Sequence, residues 1–190
     1  LAGEPVTGLS ASFDGRVTSL SDAANAGALA KLYAADGASV ALADVTLTAP
    51  LPSPGKIICV GVNFPDRNAE YKDGQSAPAN PSLFIRFPGS FVGHGDDLRR
   101  PPESEQLDYE GEIAIVIGAG GRRIEAANAW DHIAAVTLCN EGTIRDWVRH
   151  AKFNVTQGKN FQKSAARAPG LLHFTGPDII PDPELTTRPH

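Results

Sequence analysis

The chain has 190 residues, a formal net charge of −5, 42% apolar residues and 21% charged residues. These totals suit one globular domain of ordinary size, or one with a small appendage, and they exclude a disordered chain. The negative balance argues against a nucleic-acid binder held by phosphate contacts and against a polybasic membrane anchor, and no apolar run approaches the ~20 residues of a membrane span.

The first ten residues, LAGEPVTGLS, have neither the basic start nor the apolar stretch of a signal peptide. The chain contains no Met, so its start reads as trimmed. FDGRVTSL places a turn at Asp14-Gly15. SDAANAGALAKLYAADG reads as one Ala-rich helix, capped by Ser21 or Asp22 and ended by Gly37. VALADVTL follows as a strand. The proline-rich TAPLPSPGK is a linker, and it sets a boundary between a small N-terminal unit, residues 1–50, and a main domain, residues 51–190.

KIICVGVN reads as a buried strand, DRNAEY as the start of a short helix and SLFIRF as a strand. DYEGEIAIVIG carries the clearest strand pattern, GAGG is a turn after it, EAANAWDHI is helical, AAVTLCN is a strand and TIRDWVRHA a helix. Cys59 and Cys139 sit inside apolar strand-like runs and read as buried free thiols of a reducing cytoplasm. Many short strands with Gly- and Pro-rich turns predict an α+β fold that is mostly β.

The chemistry gathers on carboxylates. Glu110 and Glu112 lie two positions apart at the head of an apolar strand, so both leave one face, with Cβ atoms about 7 Å apart. Two buried carboxylates side by side need a cation or a shared proton. Read alone, the pair also suits a solvated edge face. Glu141 follows a buried strand at Asn140-Glu141-Gly142, where Thr143 looks like an N-cap with Asp146 three residues on. His94, His132, His150, His173 and His190 show no ligand spacing, which favours an all-oxygen site for Mg or Mn over zinc. Asp108 and Asp146 read as capping or pairing groups, and Asn154-Val155-Thr156 fits a glycosylation acceptor without other signs of secretion.

PGKIICVGVNF, LFIRFPGSFVGHGD, LDYEGEIAIVIG, NEGTIRDW and QGKNF, in this order and spacing, resemble the fumarylacetoacetate hydrolase superfamily across roughly residues 52–163. The nearest type is the bacterial 2-hydroxyhepta-2,4-diene-1,7-dioate isomerase or acylpyruvase. The resemblance implies a mixed β-sheet roll, a homodimer, and Mg or Mn held by Glu110, Glu112 and Glu141. Family members usually have Asp at the third place, so Glu141 is one methylene longer. The resemblance also implies that Lys159 pairs with substrate and that Arg86 takes a basic, substrate-binding place; read without it, Lys159 suits an ordinary solvated lysine and Arg86 a surface position. Hydrolysis of a small diketo acid of the acylpyruvate or fumarylpyruvate type, in aromatic-compound breakdown, is the first expectation. Isomerisation or decarboxylation of an unsaturated 2-oxo dicarboxylate, and a non-catalytic metal-binding relative, are the alternatives.

Two departures stand out. The family's hydrolytic dyad is a His with a Glu three residues on, and here those places hold Arg67 and Glu70. Arg cannot act as a base near neutral pH. Either the two form a helix-face ion pair, or Glu70 is the base of a proton shift with Arg67 on a second substrate carboxylate. The family pattern also runs on past His190, so the main domain reads as incomplete on its C-terminal side.

Overall fold

The computed structural model describes residues 6–7, 19–34, 39–61, 63, 80–151 and 154–179. The expected turn at Asp14-Gly15, the helix at DRNAEY and, with it, Arg67 and Glu70 lie outside the described residues. The elements in order are β1 (Val6–Thr7), α1 (Leu20–Asn25), α2 (Leu29–Tyr33), β2 (Ser39–Val40), β3 (Ile58–Gly61), β4 (Ser82–Ile85), β5 (Phe91–Val92), β6 (Leu107–Asp108), β7 (Gly111–Ile117), β8 (Ile133–Asn140), β9 (Thr143–Ile144), α3 (Arg145–Arg149), α4 (Val155–Gly158), β10 (Ala165–Arg167) and β11 (Leu172–His173). Strand outweighs helix, and the sheets are open.

The centre is β8. It pairs antiparallel with β7 on one side along its length, and with β10 and β11 on the other. β5 joins the edge in parallel with β10. Three further ladders are two-stranded: β1–β2, β3–β4 and β6–β9. The alternation Ile113, Ile115, Ile117 against Glu112, Ala114, Val116 makes β7 a two-faced strand. Val116 and Ala135 face the helices, where Ala23, Ala24 and Leu29 form a small core with Ala135. The opposite face leaves Ile115, Ile117 and Leu138 more than half exposed.

The single Ala-rich helix of the sequence reading is two helices here. Its N-cap is Ser19, whose hydroxyl accepts from the Asp22 amide at 3.1 Å, rather than Ser21 or Asp22. Gly27 ends α1 in the left-handed region, φ +64, where a side chain is strained. The Gly27 and Ala28 amides turn back to the carbonyls of Ala24 and Ala23, a Schellman closure. The strand expected at VALADVTL stops at Val40 and passes into a 3₁₀ turn at Leu42–Asp44. β3 is not buried as its composition suggests: Ile58 is 58% exposed and Val60 44%, because only the Cys59 side of the β3–β4 ladder turns inward. EAANAWDHI forms a 3₁₀ helix at Ala126–His132.

Candidate active site

β6 and β9 on one side, and β7 and β8 on the other, are parts of one interrupted antiparallel ladder. The register pairs Asp108 with Thr143 and Gly111 with Asn140. The same register sets Glu110 opposite Glu141 at the interruption. The Glu141 amide donates to the Glu110 carbonyl at 2.7 Å, and the Glu110 amide donates to Asn140 Oδ1 at 3.1 Å. Like charges directly opposed across a ladder repel. The fold answers with cations.

Lys159 supplies the first. It follows α4, and its buried ammonium donates to Glu110 Oε2 at 2.7 Å, to Glu141 Oε2 and to the Glu141 carbonyl at 3.0 Å. Gly158 makes this approach possible. A Cβ there would stand 2.4 Å from Val148 Cγ2 and 3.0 Å from the Ile144 carbonyl, so only glycine lets α4 pack against β9 and α3. Asn160 anchors the other side: its Oδ1 accepts from the Phe87 amide at 2.7 Å and its Nδ2 donates to the Ile85 carbonyl at 3.0 Å. The Lys159 ammonium also lies 5.3 Å from the Phe84 ring centroid.

Arg86 supplies the second cation. It is 2% exposed and reaches Glu141 Oε1 at 2.6 Å. Its three other hydrogen bonds go to Ser90 Oγ, the Gly142 carbonyl and Ser164 Oγ. Arg145 is the third: it meets Glu110 at 2.7 Å and Asp108 at 2.8 Å. Thr143 completes the shell of Glu110, its hydroxyl donating to Oε1 at 2.7 Å.

Burial pushes the Glu110 carboxyl upward, but Lys159, Thr143 and Arg145 outweigh it and hold the group below its usual range. Glu112 goes the other way. Burial first, then the negative charges of Glu110 and Glu141, raise it, with Lys159 opposing. Glu112 takes no hydrogen bond or ion pair from its side chain among the described residues. Cys59 and Cys139 are free, and burial, followed by Glu141, pushes both thiols up to about 12. A raised thiol pKa disfavours the reactive thiolate at neutral pH.

The structure thus joins Glu110, Glu141, Lys159 and Arg86 in one bonded cluster, with Glu112 near enough to feel both other carboxylates. Among the described residues no three acidic, His or Cys groups stand arranged to hold a metal ion. The chemistry of the set nonetheless suits a hard dication. Its donors are all carboxylate oxygens, and Lys159 marks where positive charge already draws two of them together. Glu112 is the side chain that would have to turn in.

Thr143 is not the N-cap that the sequence reading makes of it. It lies in β9, fully buried, and spends its hydroxyl on Glu110. Asp146 accepts from Ser104 Oγ at 2.6 Å, and Asp108 pairs with Arg145, so both are pairing groups. Arg145, Ser90 and Ser164 escaped the sequence reading as site residues. Arg145 is spelled out in the NEGTIRD motif, but nothing local says that it reaches back to Glu110.

Residues 56–188 match the family model described as fumarylacetoacetate (FAA) hydrolase, C-terminal. The chain belongs to the fumarylacetoacetate hydrolase family. Oxaloacetate tautomerase YisK of Bacillus subtilis (strain 168) is 39% identical over 146 residues, 75% of this chain and 47% of that protein. The crystal structure of 2-hydroxyhepta-2,4-diene-1,7-dioate isomerase from Mycobacterium marinum matches with a TM-score of 0.61 at 30% identity, over 74% of this chain and 50% of that one. The fumarylacetoacetate hydrolase of Exiguobacterium antarcticum matches with a TM-score of 0.64 at 29% identity, over 82% of this chain and 55% of that one. This member of the family therefore shares its fold with proteins named as enzymes. The chain spans about half the length of the curated relatives it matches. Enzymes of the fumarylacetoacetate hydrolase family generally use a divalent metal. No helix among the described residues is long and apolar enough to cross a membrane.

Proposed function

We propose that this chain carries the site of a divalent-metal-dependent enzyme that interconverts the keto and enol forms of a short 2-oxo dicarboxylate. The observation that carries this reading is the opposition of Glu110 and Glu141 across the ladder, gathered on Lys159, with Glu112, which has no side-chain partner among the described residues, two positions along the chain from Glu110. Glu110, Glu112 and Glu141 would hold Mg or Mn. When bound, such an ion supplies positive charge against the negative charge that develops on the oxo oxygen.

The chain's own residues divide the remaining work. The Lys159 ammonium spends its three donors on Glu110 Oε2, Glu141 Oε2 and the Glu141 carbonyl; with an ion holding those carboxylates, it would turn to a substrate carboxylate or a developing oxyanion. Arg86, locked by four acceptors, holds Glu141 in place and orients it from behind; in this reading it keeps the substrate-binding role only through that carboxylate. Glu70 takes a proton from the carbon beside the oxo group, and the oxo oxygen gains one. The product is an isomer, with no net loss of atoms or electrons. Arg67 serves as an anion partner, not a base. The name of the relative at 39% identity supports a tautomerase.

Hydrolysis of a C–C bond in an acylpyruvate-type diketo acid, in aromatic-compound breakdown, is the second reading. A fumarylacetoacetate hydrolase among the matched structures favours it. Arg67 at the place of the water-activating His weighs against it. For either reading we propose a cytoplasmic homodimer, on the family resemblance.

The test is a thermal melt with Mn and oxalate, a planar mimic of the enolate. Mn alone should raise the melting temperature and oxalate should raise it further, and Glu112→Gln should abolish both effects. A melt unmoved by Mg or Mn sinks the metal site. Enol absorbance of added oxaloacetate then separates tautomerisation, which changes its rate of approach to equilibrium, from cleavage of the acylpyruvate, which consumes substrate.

A further inference from the structure

Arg167 closes β10 and is 9% exposed. One nitrogen of its guanidinium, Nη1, donates to the Leu51 carbonyl at 2.8 Å. The other two, Nε and Nη2, are buried without a hydrogen-bond partner among the described residues. Its guanidinium carbon sits 4.5 Å from the Phe91 ring centroid, and that of Arg86 sits 4.8 Å from the same centroid. A ring face and a carbonyl ease a cation, but neither neutralises it. Arg86 brings a like charge, and four of its five donors already go to Ser90, Glu141, Gly142 and Ser164. A buried guanidinium with two idle donors is costly unless an anion meets it.

The idle pair has a shape. Nε and Nη2 lie on one edge of the planar fork, with their N–H bonds parallel, and this edge matches the two oxygens of a carboxylate. Its place in the sheet is equally specific. Arg167 is directly opposite Cys139, and Cys139 is directly opposite Glu112. The three side chains form a row on one face, the face of the glutamate cluster. Two strand spacings, ~10 Å, separate the ends of that row at the backbone. Cys139, a free cysteine, lies between them.

We propose that Arg167 is the seat of the far carboxylate of a short dicarboxylic acid whose 2-oxo end lies at Glu110, Glu112 and Glu141. The inference rests on the 2-oxo dicarboxylate reading above and narrows it: the ligand carries a second carboxylate, and this residue selects for it. An apolar side chain at 167 would accept monocarboxylates as readily as diacids.

Three ligands test it on the full chain. Oxalate with Mn probes the glutamate end alone. N-oxalylglycine with Mn carries the same chelating end plus a far carboxylate. Formate without any divalent ion probes the guanidinium seat alone. In calorimetric titrations, Arg167→Leu should weaken N-oxalylglycine by about tenfold or more, the loss expected of a charged hydrogen-bonded pair, and leave oxalate within about twofold. Arg167→Lys, which keeps the charge and loses the fork, should fall between. Formate should raise the melting temperature of the parent chain and leave Arg167→Leu unmoved. Equal weakening of oxalate and N-oxalylglycine would show a structural role for Arg167 and overturn the seat, as would an identical formate shift in both chains. A formate effect confined to the parent chain, with oxalate bound by neither, supports the seat and removes the metal reading instead.

Discussion

Removing the Arg86 side chain would leave Glu141 buried beside a single cation, Lys159, which it shares with Glu110. Breaking one partner of a buried ion pair costs about 3–5 kcal/mol, most of it from the charge left behind. Arg86→Met should therefore cost about that much in urea unfolding. Arg86→Met combined with Glu141→Gln should cost clearly less than the two single changes added together, since no orphaned carboxylate remains. Glu112 offers a test through pH. Burial, Glu110 and Glu141 raise its carboxyl in the fold above the ordinary 4.5, so its contribution to stability is full below 4.5 and is lost as pH rises through the folded value. Glu110 is lowered, so its contribution is present above 4.5 and lost as pH falls through its folded value. Glu112→Gln should accordingly raise the melting temperature near neutral pH in divalent-free buffer, and the gain should shrink as the pH is brought below 4.5. A gain that is independent of pH would mean that the neighbouring charges are not its cause.

At the scale of elements, the site depends on an antiparallel ladder that pauses for two residues on each strand. Tyr109-Glu110 and Glu141-Gly142 face one another there without regular pairing. Gly142 is needed because the chain of β10 crosses close by: a Cβ on Gly142 would lie 2.0 Å from the Ser164 carbonyl oxygen. That oxygen is backbone and cannot swing away. Gly142→Ala should cost about 3 kcal/mol, the upper range for overpacking, and loosen Arg86, which bonds both the Gly142 carbonyl and the Ser164 hydroxyl. Denaturant unfolding would read the loss, and a change no larger than that of an exposed Gly→Ala would contradict the close crossing. Much of this region is legible in the sequence. The alternation in DYEGEIAIVIG and the apolar run AAVTLCN name β7 and β8, and the Glu-x-Glu spacing names the acidic face. The pause itself is not. Glu110 lies outside β7, and only the pairing partner decides where a strand stops.

Over the whole molecule, the described sheets are open and carry apolar side chains outward. Ile58, Leu83 and Ile85 line the outer face of the β3–β4 ladder, and Ile113, Ile115, Ile117 and Leu138 line one face of β7 and β8, all of them exposed. This is why KIICVGVN looked buried by composition and is half exposed in the structure: residue type reports what a face prefers, not whether another layer lies against it. The Ala-rich segment shows the same limit from the other side. Its periodicity and composition announce a helix, but Gly27 at the middle of the run cuts it in two, so that Ala23, Ala24 and Leu29 can all reach Ala135.

The amino-acid sequence by itself determined the strand-rich class, the family, and the identity of the acidic and basic residues that meet. Local periodicity and motif spacing are properties of short stretches, and they survive without coordinates. Only the tertiary structure decided how the charges are shared. Arg86 turned inward onto Glu141, Lys159 bridged two carboxylates, Arg145 reached back to Glu110, and Arg167 was left with an idle edge. Each of these depends on residues dozens of positions apart arriving at one point, and the balance of burial against pairing exists only after they arrive.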